Sequence, residues 1–362
     1  MRVKSTLTDK VDLDSLSARR QRSRLVGTLA KRVRPCVTFQ PSVWYRWRKM
    51  MASEKPTFAI MGSGGMGGYI GARLAKAGYP TSFIARSAHL EAMQRTGLRI
   101  EGPDEAFVVQ PITATSEPKD IGPVDFVIFC VKLWDTETAG SLCRDLIGPD
   151  TAVLSMQNGV DPETILSDIL GRDHVMGAVA EVGANIVEPG FVRRFSPVAI
   201  IRFGELDQTK SPRSIRFREA ISAAGFDADH ADNINTTIWD KFLFLVGASA
   251  LNGVTRQPIG RVREAPDTRA LLRQVMDEVL LIAQAKGISM TEENVAARMD
   301  YVDSVPGEAK VSMAVDLERG NRLELPWLSG AVARMGQELS IPTPANSVIY
   351  AALKHYVMGR DL

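Results

Sequence analysis

Sulfur, imidazole and long apolar runs are all scarce in this chain. Three cysteines (Cys36, Cys130 and Cys143) and four histidines are scattered through 362 residues. They form no CxxC, Cys/His or HExxH arrangement, which argues against a zinc site and a disulfide scaffold. An odd, sparse set of thiols suits a reducing cytoplasm. No apolar stretch reaches the roughly 18–20 residues that a membrane-spanning helix requires. What is present, 45% hydrophobic and 24% charged residues, is an ordinary globular composition. The length is comfortable for two domains of roughly 100–200 residues each.

The net charge of +2 hides an asymmetry. Residues 1–55 hold 14 Lys/Arg against 4 Asp/Glu, a balance of +10, and the remainder holds 30 against 38, a balance of −8. The mildly acidic body offers nothing to nucleic acid. Three readings fit the Arg-rich 1–55 segment: a charged tail for nucleic acid or a membrane surface, a transit peptide, or an over-extended start with the true beginning at Met50 or Met51. Asp9, Asp12 and Asp14 speak against the transit peptide.

From Thr57 the chain alternates between strand and helix patterns. "TFAIMG", "PTSFIAR", "VDFVIFCVK", "TAVLSMQNG" and "VMGAVAEVGANIV" read as strands. The continuous apolar run ending at Lys132 suits a parallel strand buried on both faces. Between them "MGGYIGARLAKAGY", stopped by Gly78, "SAHLEAMQRTG", with Ser87 as N-cap, and "PETILSDILG" have helical spacing. This alternation predicts a doubly wound parallel sheet over residues 56–230. After about residue 230 five segments share the 3.6-residue period, punctuated by Pro266, Gly287, Pro326 and Pro342. The fold class is therefore α/β: an N-terminal Rossmann-type dinucleotide-binding domain followed by an all-helical domain over 231–362. A cleft between two such domains is a favoured ligand site.

Six glycines fall within the fourteen residues Phe58–Gly71. Gly62-x-Gly64-x-x-Gly67 follows a strand and opens a helix, the context that makes this pattern a dinucleotide fingerprint. Gly62 serves the tight turn, Gly64 the close approach of backbone to pyrophosphate, and Gly67 the packing of helix on strand. The N–H groups of Gly62, Ser63, Gly64, Gly65, Met66 and Gly67 surround the place where the anion would sit. Arg86 ends the next strand, where an NAD-specific protein places a carboxylate. A guanidinium there holds a 2′-phosphate and points to NADP(H). Lys132, at the end of its own strand, adds charge near the cofactor.

In the helical half, Lys241 is a lone cation on a helix that is almost apolar from Phe242 to Leu251. It either snorkels from a boundary or does chemistry in a cleft. Ser312 and Glu324 flank a helix end, and a carboxylate two residues before Pro326 also suits the start of the next helix.

Read together, "GSGGMGG", "FCVK", "SMQNGV", "TTIWDKF", "SMAVDLERGNRLELPWLSGAVARMGQELSIPTPAN" and "VIYAALK" resemble the ketopantoate reductase (2-dehydropantoate 2-reductase) family over Phe58–Lys354. The resemblance implies NADPH-dependent reduction of a 2-oxo acid to a 2-hydroxy acid, within pantothenate and coenzyme A biosynthesis. It implies Lys241 as general acid and Glu324 as the group that orients the substrate. Asn158, of the Gln-Asn-Gly turn, and Ser312 would hold substrate and cofactor. The expected partners are a small 2-oxo acid and, for assembly, a second copy of the chain.

Two departures stand out. The family commonly carries asparagines four and eight residues after the lysine, and here Leu245 and Ser249 occupy those places. Ser249 is left as a shorter substrate contact, and Asn252 lies one further turn away. Arg193 and Arg194 stand where the family often has histidine and glycine; they would grip an acidic substrate or simply be solvated strand residues. Two other readings remain: a related β-hydroxyacid dehydrogenase, and a regulatory protein that binds NADPH without turnover.

Overall fold

The computed structural model describes residues 55–359, so the readings offered for the basic N-terminal segment lie outside the described residues. The sheet is built from β1 (Phe58–Met61), β2 (Thr81–Ile84), β3 (Leu98–Gly102), β4 (Glu105–Val109), β5 (Thr113–Thr115), β6 (Phe126–Phe129), β7 (Ala152–Ser155), β8 (Val175–Glu188), β9 (Phe191–Glu205) and β10 (Asp227–His230). Its order is β4-β3-β9-β8-β7-β6-β1-β2-β5, with β10 also paired to β9. From β5 through β2, β1, β6 and β7 to β8 every pairing is parallel. All four residues of β6 and of β7 are buried, as strands covered on both faces must be.

The sheet is mixed rather than wholly parallel. β8 and β9 form a long antiparallel hairpin with register shifts at Val182/Ala184 and Ile186/Glu188. β3 and β4 add a second antiparallel pair. These strands carry charges such as Glu101, Arg193 and Arg194, which break the apolar runs by which the parallel strands announce themselves. Arg193 pairs with Glu101 at 3.0 Å, and Arg194 pairs with Asp104. Both arginines therefore fasten the sheet edge.

The helices α1 (Gly65–Lys76), α2 (Ser87–Thr96), α3 (Thr136–Leu142), α4 (Pro162–Leu170) and α5 (Pro212–Ala223) accompany the sheet. Ser87 is not the cap of α2: Arg86 holds the N-cap position, no side chain caps the end, and Ser87 is the first helical residue with φ 52°. Strand alternation sends Phe58 and Ile60 into one core and Ala59 and Met61 into the other.

After β10 the chain is helical: α6 (Ile234–Thr255), α7 (Ile259–Glu264), α8 (Pro266–Ala285), α9 (Glu292–Ser304), α10 (Ser312–Arg319), α11 (Ser329–Leu339) and α12 (Pro344–Leu353). The Asn233 side chain starts α6 by accepting the Thr236 N–H. α10 begins later than its periodicity suggests, because residues 306–309 form a turn, closed by the Ala309 N–H on Pro306 O at 2.9 Å, and Gly307 and Ala309 are used outside the helix. Their carbonyls accept the Gly260 and Ile259 N–H groups at the start of α7. α6 belongs to two cores: Ile234 and Ile238 pack with the sheet, whereas Trp239 and the turns beyond pack with the other helices.

Candidate active site

The glycine loop joins β1 to α1 and tests directly whether a dinucleotide fits. Gly62 has φ 94°, and a Cβ there would sit 2.8 Å from the Val131 nitrogen. A Cβ on Gly67 would collide with the Gly62 carbonyl oxygen, whereas Gly64 faces open space for 4 Å around. No side chain caps α1 and its first turn holds no acid, so its free N–H groups stay available to an anion. Beside the loop lies a cavity of about 270 Å³ whose lining includes Gly62, Ser63, Gly64, Arg86, His89 and Lys132. The residues present thus fit the phosphate-bearing part of NADP(H).

Several residues expected on the cofactor behave differently from one another. Ser63 is turned inward, its hydroxyl donating to Ile60 O at 3.3 Å and its N–H to Ile84 O at 2.9 Å. The Met66 side chain packs on the sheet core, which leaves only its backbone for a ligand. Gly65 is where the hairpin crosses the loop: a Cβ there would strike Ala184. Arg86 is exposed and stands 4.0 Å from Asp135, a loose pair. Lys132 reaches across to the helical half, 3.4 Å from Asp316, and lies 5.6 Å from the Trp134 ring centroid. His89, which the sequence did not single out, supports the loop. Its Nδ1 accepts the Gly190 N–H, so its Nε2 donates to Ser63 O at 3.0 Å, and burial lowers its pKa.

Lys241 lies on the second turn of α6, where that helix passes the carboxyl ends of the strands. Its Nζ donates to Ala180 O of β8 at 3.0 Å. Burial lowers its pKa to about 8, against the pull of Glu181, Glu324 and Glu163. Lys241, Asn158, Glu163 and Leu245 line one small cavity of about 10 Å³ with the apolar groups of Val179 and Phe242. That is room for about one water. Glu324 is 7% exposed. It accepts the Leu133 N–H at 3.3 Å and the Asn158 Nδ2–H at 3.4 Å, which joins the helical half to the two strand-end loops.

Ser249 and Ser312 are not brought into this cavity. Ser249 is buried within α6, and Ser312 is exposed at the first turn of α10. Asn252 does not replace the missing amides. Its Nδ2 donates to Gln257 O at 2.9 Å and its Oδ1 accepts the Val311 N–H at 3.3 Å, which ties α6 to the start of α10. Glu163 escaped the sequence reading because an acid in the first turn of a helix has an ordinary electrostatic explanation. Burial pushes its carboxyl up to about 7, opposed by Lys241 and reinforced by Asp161.

Residues 58–208 match the family Ketopantoate reductase PanE/ApbA, and residues 233–357 match Ketopantoate reductase PanE/ApbA C terminal. The chain belongs to the ketopantoate reductase family. It is an NADP-dependent oxidoreductase acting on CH–OH groups. A 2-dehydropantoate 2-reductase of Mesorhizobium japonicum is 30% identical over 328 residues, 83% of this chain and 98% of that protein. The crystal structure of a PanE/ApbA family ketopantoate reductase from Ralstonia eutropha JMP134 superposes with a TM-score of 0.76 at 32% identity, covering 83% of this chain and 98% of that one. D-mandelate dehydrogenase with NADH and anilino(oxo)acetate gives a TM-score of 0.76 at 20% identity, covering 83% and 97%, which shows a shared fold. Among the described residues no helix is long and apolar enough to cross a membrane, and no cluster of His, Cys, Asp and Glu could hold a metal ion.

Proposed function

We propose that this member of the family reduces 2-dehydropantoate to pantoate, with residues 56–230 binding NADPH and residues 231–362 supplying the acid and most substrate contacts. The observation that carries the reading is the convergence of Lys241 and Asn158 on one cavity, with Glu324 bonded to Asn158.

Bound NADPH supplies a hydride to the carbonyl carbon. Negative charge then develops on the carbonyl oxygen, and the Lys241 ammonium stabilises it and gives it a proton. A pKa of about 8 suits this work, because the amine is charged at neutrality yet releases its proton more readily than an exposed lysine. Asn158 donates to the substrate or the cofactor, and Glu324 accepts from the hydroxyl at the far end of the substrate. The loop Gly62–Gly67 and Arg86 hold the phosphates, and Lys132 adds charge beside them. Ser312, exposed at the start of α10, is the serine placed to meet a ligand, whereas Ser249 lies buried within α6.

One observation favours a second substrate class. Leu245, Val179, Ile238 and Phe242 give the cavity an apolar wall on the Lys241 side, which suits a 2-oxo acid with an apolar substituent. A wall without the two amides on the Lys241 helix discriminates less in favour of a hydroxylated substrate.

NADPH oxidation with ketopantoate and a series of 2-oxo acids of increasing apolar size tests both readings. Turnover of ketopantoate above the others supports the first; preference for apolar acids moves the assignment to the second. NADPH binding without turnover of any of them would leave a sensor rather than a reductase.

A further inference from the structure

Among the described residues, Glu163 is the one ionisable group that lines both the small cavity holding Lys241 and a much larger one beside α4, of about 930 Å³. We propose that Glu163 is the proton relay that recharges Lys241 between turnovers, drawing protons from the water of the outer cavity. The proposal rests on the reading of Lys241 as general acid.

The geometry gives each part of the relay a place. Pro162 fixes the first turn of α4 directly after the Asn158–Gly159 turn, so Glu163 follows the substrate-side asparagine by five residues. The space between Glu163 and Lys241 takes about one water, enough to bridge a carboxyl and an amine that do not touch. On the outer side Glu163 meets a groove walled by α4, the Arg172 turn, α6, the residues after α8 and α11.

The charged groups facing Glu163 are Lys241 from α6, Asp161 and Asp168 on its own segment, Arg172, Lys286 after α8, and Arg334 from α11. Arg334 is committed to Asp161 at 2.8 Å and to Glu338 at 3.2 Å. Among the described residues no salt bridge locks Glu163 in one charge state, in contrast to Glu181, which Arg202 holds at 2.5 Å.

The transfer balances. Once Lys241 has given its proton to the product oxygen, the O–H bond of the Glu163 carboxyl breaks and an N–H bond forms on Lys241 Nζ, through the bridging water. The resulting carboxylate takes a proton from water in the outer cavity, so the net proton consumed in reduction comes from solvent. Burial raises the Glu163 carboxyl to about 7 and lowers the Lys241 amine to about 8, which brings the two groups close enough in basicity for a proton to pass between them.

The rival route is direct. Lys241 also borders a cavity of about 450 Å³ lined by Glu181, Arg202 and His230, and solvent there could recharge it without Glu163.

The test compares wild type, Glu163→Gln, Glu163→Asp and Glu181→Gln as NADPH complexes, with Lys241→Ala as the control on the underlying reading. In Glu163→Gln the first hydride transfer, measured in a single turnover with Lys241 already protonated, should run at the wild-type rate. Steady-state turnover should fall by at least about tenfold. Added imidazole should restore part of it, Glu163→Asp should lie between, and Glu181→Gln should resemble wild type. Independently of activity, the infrared band of a protonated carboxyl at pH 6 should disappear in Glu163→Gln. Wild-type turnover in Glu163→Gln, loss of turnover in Glu181→Gln instead, or equal slowing of the first and later turnovers would each overturn the relay. If Lys241→Ala is as active as wild type, the general-acid reading itself fails, a result that the Glu163 variants cannot imitate.

Discussion

Lys241 sits in an environment that pulls in two directions, and the pH profile should show which prevails. Burial lowers its pKa to about 8, and the protonated form is the one that can donate. Reduction rate should therefore be level through neutrality and decline as pH rises through about 8. Lys241→Ala should lose about 100-fold or more in kcat and lose that decline with it; kcat measured from pH 6 to 9.5 checks both. Arg86 makes a sharper prediction about cofactor choice. It is exposed and only loosely paired with Asp135, so Arg86→Ala should leave the fold intact. It should raise KM for NADPH by about 10-fold or more, the loss of one charge-assisted phosphate contact, and leave KM for NADH nearly unchanged. At Leu245 the substitution Leu245→Asn restores an amide one turn from Lys241. If the apolar wall sets substrate choice, the ratio of kcat/KM for ketopantoate to that for an apolar 2-oxo acid should rise in this variant, read from the same panel.

Among the elements, α12 depends on a carboxylate from a different helix. Glu278 of α8 is buried and accepts the Ala345 N–H at 2.8 Å, the Asn346 N–H at 2.9 Å and the Asn346 Nδ2–H at 2.7 Å. It does the capping that Thr343 does not, since that residue makes no side-chain cap bond. Glu278→Ala leaves two buried backbone N–H groups without an acceptor and the Asn346 amide with Val275 O alone, and should cost about 3 kcal/mol of unfolding free energy, visible as a lower urea midpoint with an unchanged m-value. The elements also differ in how openly the sequence declares them. β6 and β7 are written as unbroken apolar runs because both their faces are covered. β9 and β3 bury one face and place arginines and glutamates on the other or at the rim. β3 alternates over too few residues to stand out, and β9 looks like neither a parallel strand nor a clean alternation until its hairpin partner is known. Of the residues proposed for the site, Asn158, Lys241 and Glu324 are the ones that the family resemblance suggests from sequence. Glu163 is not among them, because its second face exists only once α4, α6 and α11 are packed together.

For the molecule as a whole, the cavity at Lys241 holds about one water, too little for a 2-oxo acid. The ties across the cleft are long: Leu133 to Glu324 at 3.3 Å, Asn158 to Glu324 at 3.4 Å and Lys132 to Asp316 at 3.4 Å. The exposed Lys132–Asp316 pair is worth little, and the two bonds to the buried Glu324 carboxylate are the firmer ties; admission of substrate is expected to part the sheet and helical portions at this face. Asp316→Lys, which sets a like charge against Lys132, should raise KM for the 2-oxo acid a few-fold while changing stability by less than about 1 kcal/mol, as paired kinetic and thermal measurements would show.

α6 has one end in the sheet core and the rest in the helical core, and Lys241 stands just past the changeover. The two halves should therefore fail in sequence under denaturant. When the helical core loosens, the lysine loses its desolvated position and turnover stops. The glycine loop is anchored wholly within the sheet core and goes on holding nucleotide. A titration that follows catalysis and bound-NADPH fluorescence together should find two midpoints, with catalysis the first to go.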